Sequence, residues 1–101
     1  PQHALAQKYV KGKPSAILSF GVQDGREGGT RFIDALQLFT RLVNIGDAKS
    51  LACHPATTTH RQLNADELKA AGVSEDMVRL SIGIEHADDL IADLEQALAA
   101  V

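Results

Sequence analysis

Apolar and polar positions follow a helical period in two long segments of the chain. From Thr30 to Val43 the apolar residues recur at helical spacing, which predicts an amphipathic helix that stops at Gly46 and Asp47. A second helix is predicted from about Ala87 to the end of the chain. The apolar stripe of this second helix is predicted to comprise Leu90, Ile91, Leu94, Ala97, Leu98 and Val101.

Three other segments are rich in residues that favour strands. Residues 16–22 form an almost continuous apolar run, which predicts a strand buried on both faces. Residues 51–53 are predicted to form a short strand that ends where a proline follows His54. From Met77 to Ile82 apolar and polar residues alternate, so this strand is predicted to be half-buried, with Arg79 opposite its apolar neighbours.

The remaining segments connect these elements. The glycine-rich residues 23–30 predict a loop, and the first ten residues predict the end of a helix. Asn64 with Glu67 three positions later is typical of a helix N-cap, so a short helix to Ala71, closed by Gly72, is predicted. The order of elements predicts one α+β domain over residues 1–101: a small, mostly antiparallel or mixed sheet with helices packed on one face.

Composition excludes several classes of partner. Thirteen acidic against ten basic residues give a formal net charge of −3, which favours neither nucleic acid nor an anionic membrane surface. With three Phe, one Tyr and no Trp, a stacking platform for bases is hard to build. No apolar run is long enough for a membrane helix. The single cysteine, Cys53, cannot form an internal disulfide, which fits a cytoplasmic protein.

Two polar residues could bind a small anionic ligand. The planar guanidinium of Arg79 matches a carboxylate in bidentate fashion, but a solvated arginine or one paired with Asp or Glu is the commoner case. Asn44 could offer a donor and an acceptor, although Asn is also a common residue at a helix C-terminus. The residues alone leave both alternatives open.

A polar turn follows the short strand. Its threonine hydroxyls, between His54 and His60, are expected mainly to satisfy local backbone groups. Together with Cys53 and His86, these histidines could suggest a zinc site, but the spacing matches no structural zinc pattern and ligands are missing. We therefore predict no metal site, and Cys53 in an apolar strand is expected to be an inert thiol.

Five motifs in order carry a resemblance to a known family: ILSFG, NIGDAKSL, HPATTTH, RLSIGIE and DDLIADLEQAL. The chain resembles the C-terminal domain of the fold-type I, pyridoxal-phosphate (PLP) dependent enzymes of cysteine and methionine metabolism, and among them the O-acetylhomoserine sulfhydrylase (aminocarboxypropyltransferase) branch most closely. The resemblance implies a substrate-binding domain whose PLP-binding catalytic domain lies upstream. A start at Pro1 without an initiator Met agrees with this expectation of a truncated chain.

The resemblance also implies roles for three residues. Arg79 would hold the α-carboxylate of the amino-acid substrate, Asn44 would lie beside that carboxylate, and Thr59 would help to position the arginine. No catalytic or cofactor-binding residue is expected in this chain, since the family's Schiff-base lysine motif is absent and neither Lys49 nor Lys69 replaces it. PLP is therefore expected on the full-length parent and not on this chain alone.

The function implied for the parent, a methionine-biosynthesis transferase, is a γ-replacement. O-acetyl-L-homoserine and sulfide, or a thiol, would give homocysteine or a thioether and acetate, in a tetrameric enzyme; the chain alone would be inactive. Other branches of the family (cystathionine γ-synthase, γ-lyase and methionine γ-lyase) remain alternatives. A different class of function, a non-catalytic module that binds a small molecule, is also compatible with a small α+β domain.

Overall fold

The computed structural model describes residues 2–13, 15–58 and 62–101. The predicted α+β class is confirmed, because helices and a four-stranded mixed sheet make up the domain. The elements in chain order are α1 (His3–Val10), β1 (Ile17–Gly21), α2 (Gly25–Ala35), β2 (Thr40–Arg41), β3 (Leu51–Cys53), a 3-10 turn (Pro55–Thr57), α3 (Ala65–Ala70), β4 (Met77–Ser81) and α4 (Ala87–Leu98).

The sheet has the order β1-β4-β3-β2, with β4 antiparallel to both of its neighbours and β2 parallel to β3. Register places Leu80 between Leu18 and Ala52, and Arg79 between Ser19 and Cys53. Since successive side chains of a strand point to opposite faces, the first set lies on one face and the second on the other. The sheet therefore has a core face and a separate face that carries Arg79.

The main core lies between the sheet and two helices, α2 and α4. Phe32 of α2 is fully buried and meets Phe20 of β1 edge to face, with ring centroids 5.6 Å apart. Val78 and Leu80 of β4 are also fully buried in this cluster. A smaller cluster of Ala56, Leu68 and Val73 anchors α3. The predicted packing of helices on one face is thus observed for α2 and α4.

Several boundaries agree with the sequence patterns. β3 and β4 are observed where strands were predicted, and α1 and α4 where helices were predicted. The Asn64 side chain accepts a hydrogen bond of 2.9 Å from the Glu67 backbone N–H, as expected of an N-cap. Gly72 follows α3 with a φ of +79°, a left-handed conformation that suits glycine.

The prediction that β1 is buried on both faces is wrong. β1 is an edge strand, paired only with β4, and Leu18 in its middle is 44% exposed. Within the described ranges β1 has no other strand partner, so its apolar run reflects strand propensity as much as burial.

The boundaries predicted for the long helix are also wrong. α2 begins at Gly25, inside the segment predicted as a loop, and ends at Ala35, well before Gly46. Glycines occur inside α2 because the space is restricted: a Cβ at Gly29 would lie 2.5 Å from the His54 ring nitrogen Nε2. Tight packing therefore outweighs the weak helix propensity of glycine.

The apolar stripe of α4 is only partly as predicted. Leu90 and Ala97 are buried, but Ile91 and Leu98 are about half exposed. Asp93 is buried in their place, because its carboxylate bonds the backbone that follows α2. Among the described residues, no helix is both long and apolar enough to cross a membrane.

Candidate functional site

Arg79 lies in the middle of β4, on the sheet face opposite the main core. The guanidinium is partly exposed, and its Nη2 donates a hydrogen bond of 2.5 Å to the carbonyl oxygen of Val43. The strand therefore places an arginine fork directly beside the backbone that leads into Asn44.

Two hydrogen bonds from β4 bracket Asn44. Arg79 bonds the carbonyl of Val43, and the Ser81 hydroxyl, two positions along the same strand face, accepts the Gly46 N–H at 3.0 Å. Asn44 and Ile45 lie between these two points, and both side chains are exposed. The structure thus brings together two of the three predicted substrate-binding residues, Arg79 and Asn44, which are distant in sequence.

The far end of the same loop, residues 43–50, is held by a buried serine. The Glu85 carboxylate accepts the Ser50 N–H at 2.8 Å and the Ser50 hydroxyl at 2.7 Å, while the Ser50 Oγ accepts the Gly83 N–H at 2.8 Å. These bonds from the Ser50 backbone and side chain hold the pKa of Glu85 below its usual range. Glu85 is therefore a carboxylate whose charged form is stabilised by the loop that it anchors.

The backbone of residues 83–84 also lies close to the backbone of the 43–50 loop. Ile84 donates its N–H to the Ala48 carbonyl at 2.9 Å, and a Cβ at Gly83 would collide with that same carbonyl oxygen. Gly83 is thus required for the 43–50 loop to lie against the end of β4. The two motifs NIGDAKSL and RLSIGIE form one structural unit.

The turn after β3 has the structural role expected for most of its residues. His54 is buried, and its two ring nitrogens lie 3.0 Å from the Thr57 hydroxyl and 2.6 Å from the Glu75 carbonyl. The hydroxyls of Thr57 and Thr58 donate to the His54 carbonyl. Thr59, the third predicted site residue, lies outside the described residues, as does His60.

Ion pairs within the described ranges involve Arg26, Arg31 and Arg41, each with an acidic residue, and His86 with Asp88. Arg79 is not in this set, so the explanation of Arg79 as half of a salt bridge finds no partner among the residues described. In the same ranges no cluster of three or more His, Cys, Asp or Glu side chains could hold a metal ion.

Two open clefts of the described residues are not lined by Arg79. One of about 410 Å³ is bounded by Lys69, Val73 and Glu75 near α3, and one of about 260 Å³ by Arg41 and His54. Neither lining includes Asn44 or Arg79. In this chain the candidate site is an open sheet face with a loop at its side.

Sequence reasoning missed the contribution of Ser50, Ser81 and Glu85. All three lie inside the motifs that carried the family resemblance, yet none is unusual by composition or spacing. Their hydrogen bonds join positions 33 to 35 residues apart, which only the folded chain reveals.

The domain thus combines a mixed four-stranded sheet, an arginine fork on one sheet face and a Ser50–Glu85 contact that anchors the 43–50 loop. The chain belongs to the Cys/Met metabolism PLP-dependent enzyme family, whose sequence model matches residues 1–99. It is similar to O-acetyl-L-homoserine sulfhydrylase 1 of Thermus thermophilus, with 56% identity over 99 residues, 98% of this chain and 24% of that protein. L-methionine gamma-lyase of Pseudomonas putida is 47% identical over 100 residues, 99% of this chain and 25% of that protein.

A solved structure shares the fold. The Campylobacter jejuni protein assigned as an O-acetylhomoserine (thiol)-lyase superposes with a TM-score of 0.84 and 48% identity, over 97% of this chain and 23% of that one. That crystal structure contains N'-pyridoxyl-lysine-5'-monophosphate, a lysine joined to the cofactor. The chain thus spans about a quarter of the length of its relatives, and PLP is the cofactor of the family to which it belongs.

Proposed function

We propose that residues 1–101 form the single C-terminal substrate-binding domain of a PLP-dependent enzyme whose catalytic domain lies upstream. The proposed reaction of the whole enzyme is γ-replacement: O-acetyl-L-homoserine and sulfide, or a thiol, give homocysteine or a thioether and acetate. The observation that carries the proposal is the position of Arg79 beside the loop that contains Asn44.

Arg79 is suited to bind the α-carboxylate of the substrate. A guanidinium has five N–H donors, and the Val43 carbonyl engages only the Nη2 end. The other donors can form the paired hydrogen bonds that a carboxylate accepts, with the adjacent exposed Asn44 amide as a further polar contact. We also propose that Thr59 helps to position the arginine, as the family resemblance implies.

The residues of this chain suit the substrate end of the site and not the attachment of the cofactor. Lys49 is exposed in the 43–50 loop and Lys69 is exposed on α3. PLP, when bound, supplies the electron sink that allows the γ-substituent to leave. Arg79 contributes by fixing the carboxylate, and hence the orientation of the bonds around Cα, before any proton is removed.

Two activities of the family are candidates for the whole enzyme that contains this chain. Sulfhydrylases from Thermus thermophilus and Leptospira meyeri are 56% and 53% identical, which supports replacement by sulfide. Methionine gamma-lyases at 46–47% identity support γ-elimination as the second candidate.

We also propose the tetrameric assembly and cytoplasmic location expected from the sequence; the free, buried thiol of Cys53 agrees with a reducing compartment.

The test is Arg79→Ala in the full-length protein that contains this chain, with Arg31→Ala as the control. Arg31 is an exposed arginine paired with Asp24 on α2. We expect the KM for O-acetyl-L-homoserine to rise on the order of 10²-fold in Arg79→Ala and the KM for sulfide to stay the same, because only one substrate has the carboxylate. An unchanged KM for the amino acid would contradict the proposal.

Two further measurements separate the alternatives. Thiol release from methionine without any sulfur acceptor, at a rate exceeding the sulfhydrylase reaction, would favour the lyase. Calorimetry of the isolated chain with O-acetyl-L-homoserine should give no binding, since half of the site is elsewhere. Tight binding by the isolated chain would instead favour a self-contained binding module.

A further inference from the structure

We infer that Ser81 and Glu85 are positioning residues that hold the 43–50 loop against β4 and thereby set the distance between Asn44 and the Arg79 guanidinium. This inference rests on the proposed role of Arg79 in binding a carboxylate. Neither side chain needs to touch the substrate, because each acts on the loop.

The first contact fixes the start of the loop. Ser81 and Arg79 project from the same face of β4, and their partners, the Gly46 N–H and the Val43 carbonyl, flank Asn44 on either side. Ser81 is 2% exposed, so its hydroxyl bonds the loop away from competing water. Loss of this bond would leave the Arg79–Val43 hydrogen bond to hold this part of the loop against the middle of β4.

The second contact fixes the end of the loop. Ser50 is fully buried, and the Glu85 carboxylate accepts both of its donors. The Ser50 Oγ in turn accepts the Gly83 N–H, so each polar group of this contact is paired. An amide at position 85 would keep the shape but direct an N–H₂ group at one of the two Ser50 donors, which breaks the contact.

A loop held at both ends presents the Val43 carbonyl at a fixed point. That carbonyl bonds the Nη2 end of the guanidinium and so orients the rest of the fork for a carboxylate. If the loop moves, the fork loses its orientation while its charge remains. Binding of carboxylate ligands should therefore weaken, and binding of ligands without a carboxylate should not.

The test measures binding and not turnover. Full-length, PLP-loaded protein is titrated by calorimetry with L-norleucine, which lacks a γ-leaving group, and with its amide, which lacks the carboxylate. Ser81→Ala and Glu85→Gln are compared with Ser74→Ala and Glu95→Gln, exposed positions of the same residue types away from the site. We expect the Kd of norleucine to rise roughly three- to tenfold in the two test variants alone, with the Kd of the amide unchanged.

The outcomes separate the inference from the proposed function. Equal weakening of both ligands, or no weakening of either, overturns the positioning role. If Arg79→Ala weakens norleucine but Ser81→Ala and Glu85→Gln do not, only the inference fails. If Arg79→Ala has no effect, the proposed function fails. If one of the two test variants does not fold, Ser50→Ala is used in its place, because it breaks the same contact from the loop side. The inference then requires that Ser50→Ala weakens the binding of norleucine and leaves the binding of its amide unchanged.

Discussion

The carboxylate of Asp93 accepts the backbone N–H of Leu38 at 2.8 Å, although 55 positions separate the two residues. The same carboxylate also accepts the N–H groups of Gln37 and Phe39 and the side-chain amide of Gln96. If α2 continued, these three backbone donors would bond carbonyls four residues earlier. Asp93 therefore ends α2 and directs the chain into β2 and the 43–50 loop.

Replacement of Asp93 by Asn should destabilise the fold. An amide has one oxygen for three backbone donors and directs its own N–H₂ group at the others, so buried or part-buried donors lose their acceptor. We expect the free energy of unfolding to fall by about 1–3 kcal/mol in urea denaturation. Asp89→Asn is the control, since Asp89 is exposed in the first turn of the same helix; an equal loss there would contradict the role given to Asp93.

Acidification should destabilise the fold through two carboxylates. Burial raises the pKa of Asp93, but its bonds with three backbone N–H groups and Gln96 outweigh this and lower the pKa overall. The Ser50 bonds lower the pKa of Glu85 in the same direction. A carboxylate whose pKa is lower in the folded state than in the unfolded state stabilises the fold at pH values above its unfolded-state pKa, which is about 4 for these acids. That contribution is lost as the pH falls through the folded-state pKa.

The free energy of unfolding is therefore expected to be level near neutral pH and to decline below about pH 4. Denaturant titrations at stepped pH measure this, and Asp93→Asn should make the acid decline shallower. A variant with the same acid slope as the parent chain would show that Asp93 does not contribute to it.

Replacement of Gly83 by Ala should displace the 43–50 loop. The added methyl would overlap the Ala48 carbonyl, and relieving that overlap should cost about 1–3 kcal/mol of unfolding free energy. Hydrogen exchange of the Gly46 and Ser50 amides should accelerate as their contacts to β4 weaken. Gly12→Ala serves as the comparison, because it strains a positive φ but meets no atom within 4 Å.

The isolated chain should associate in solution. Ile84 is 85% exposed and Ile45 is 57% exposed, on the neighbouring segments of the candidate site. Exposed apolar side chains of this kind usually mark a contact surface. Light scattering over a concentration series should show growing particle mass, reduced by Ile84→Ser but not by Ile91→Ser on α4. A monodisperse monomer at high concentration would refute the prediction.

The sequence predicted best those features that local chemistry determines. The N-cap at Asn64 and the alternation in β4 depend on neighbours within a few positions, and both are observed. The end of α2 depends on Asp93 in a distant helix, and the glycine at position 29 inside α2 is required by the nearby His54 ring. Such partners have no signature in the local pattern, which is why the helix boundaries were wrong.

The sequence likewise identified some residues of the candidate site and not others. Arg79 and Asn44 were identified through the family motifs, and the fold brings their segments together. Ser50, Ser81 and Glu85 were not identified, because a serine or glutamate in a polar stretch has no distinguishing feature until its long-range partner is known. The roles of Arg79, Asn44 and Thr59 remain predictions.

The pairing of β1 with β4 joins the beginning and the end of the domain, with Ile17 opposite Ser81. During synthesis β1 must wait for β4 before it gains its only partner, so the sheet cannot close until most of the domain has left the ribosome. Until then its apolar edge is available to other nascent chains. The strand that carries Arg79 is thus also the strand whose arrival completes the sheet.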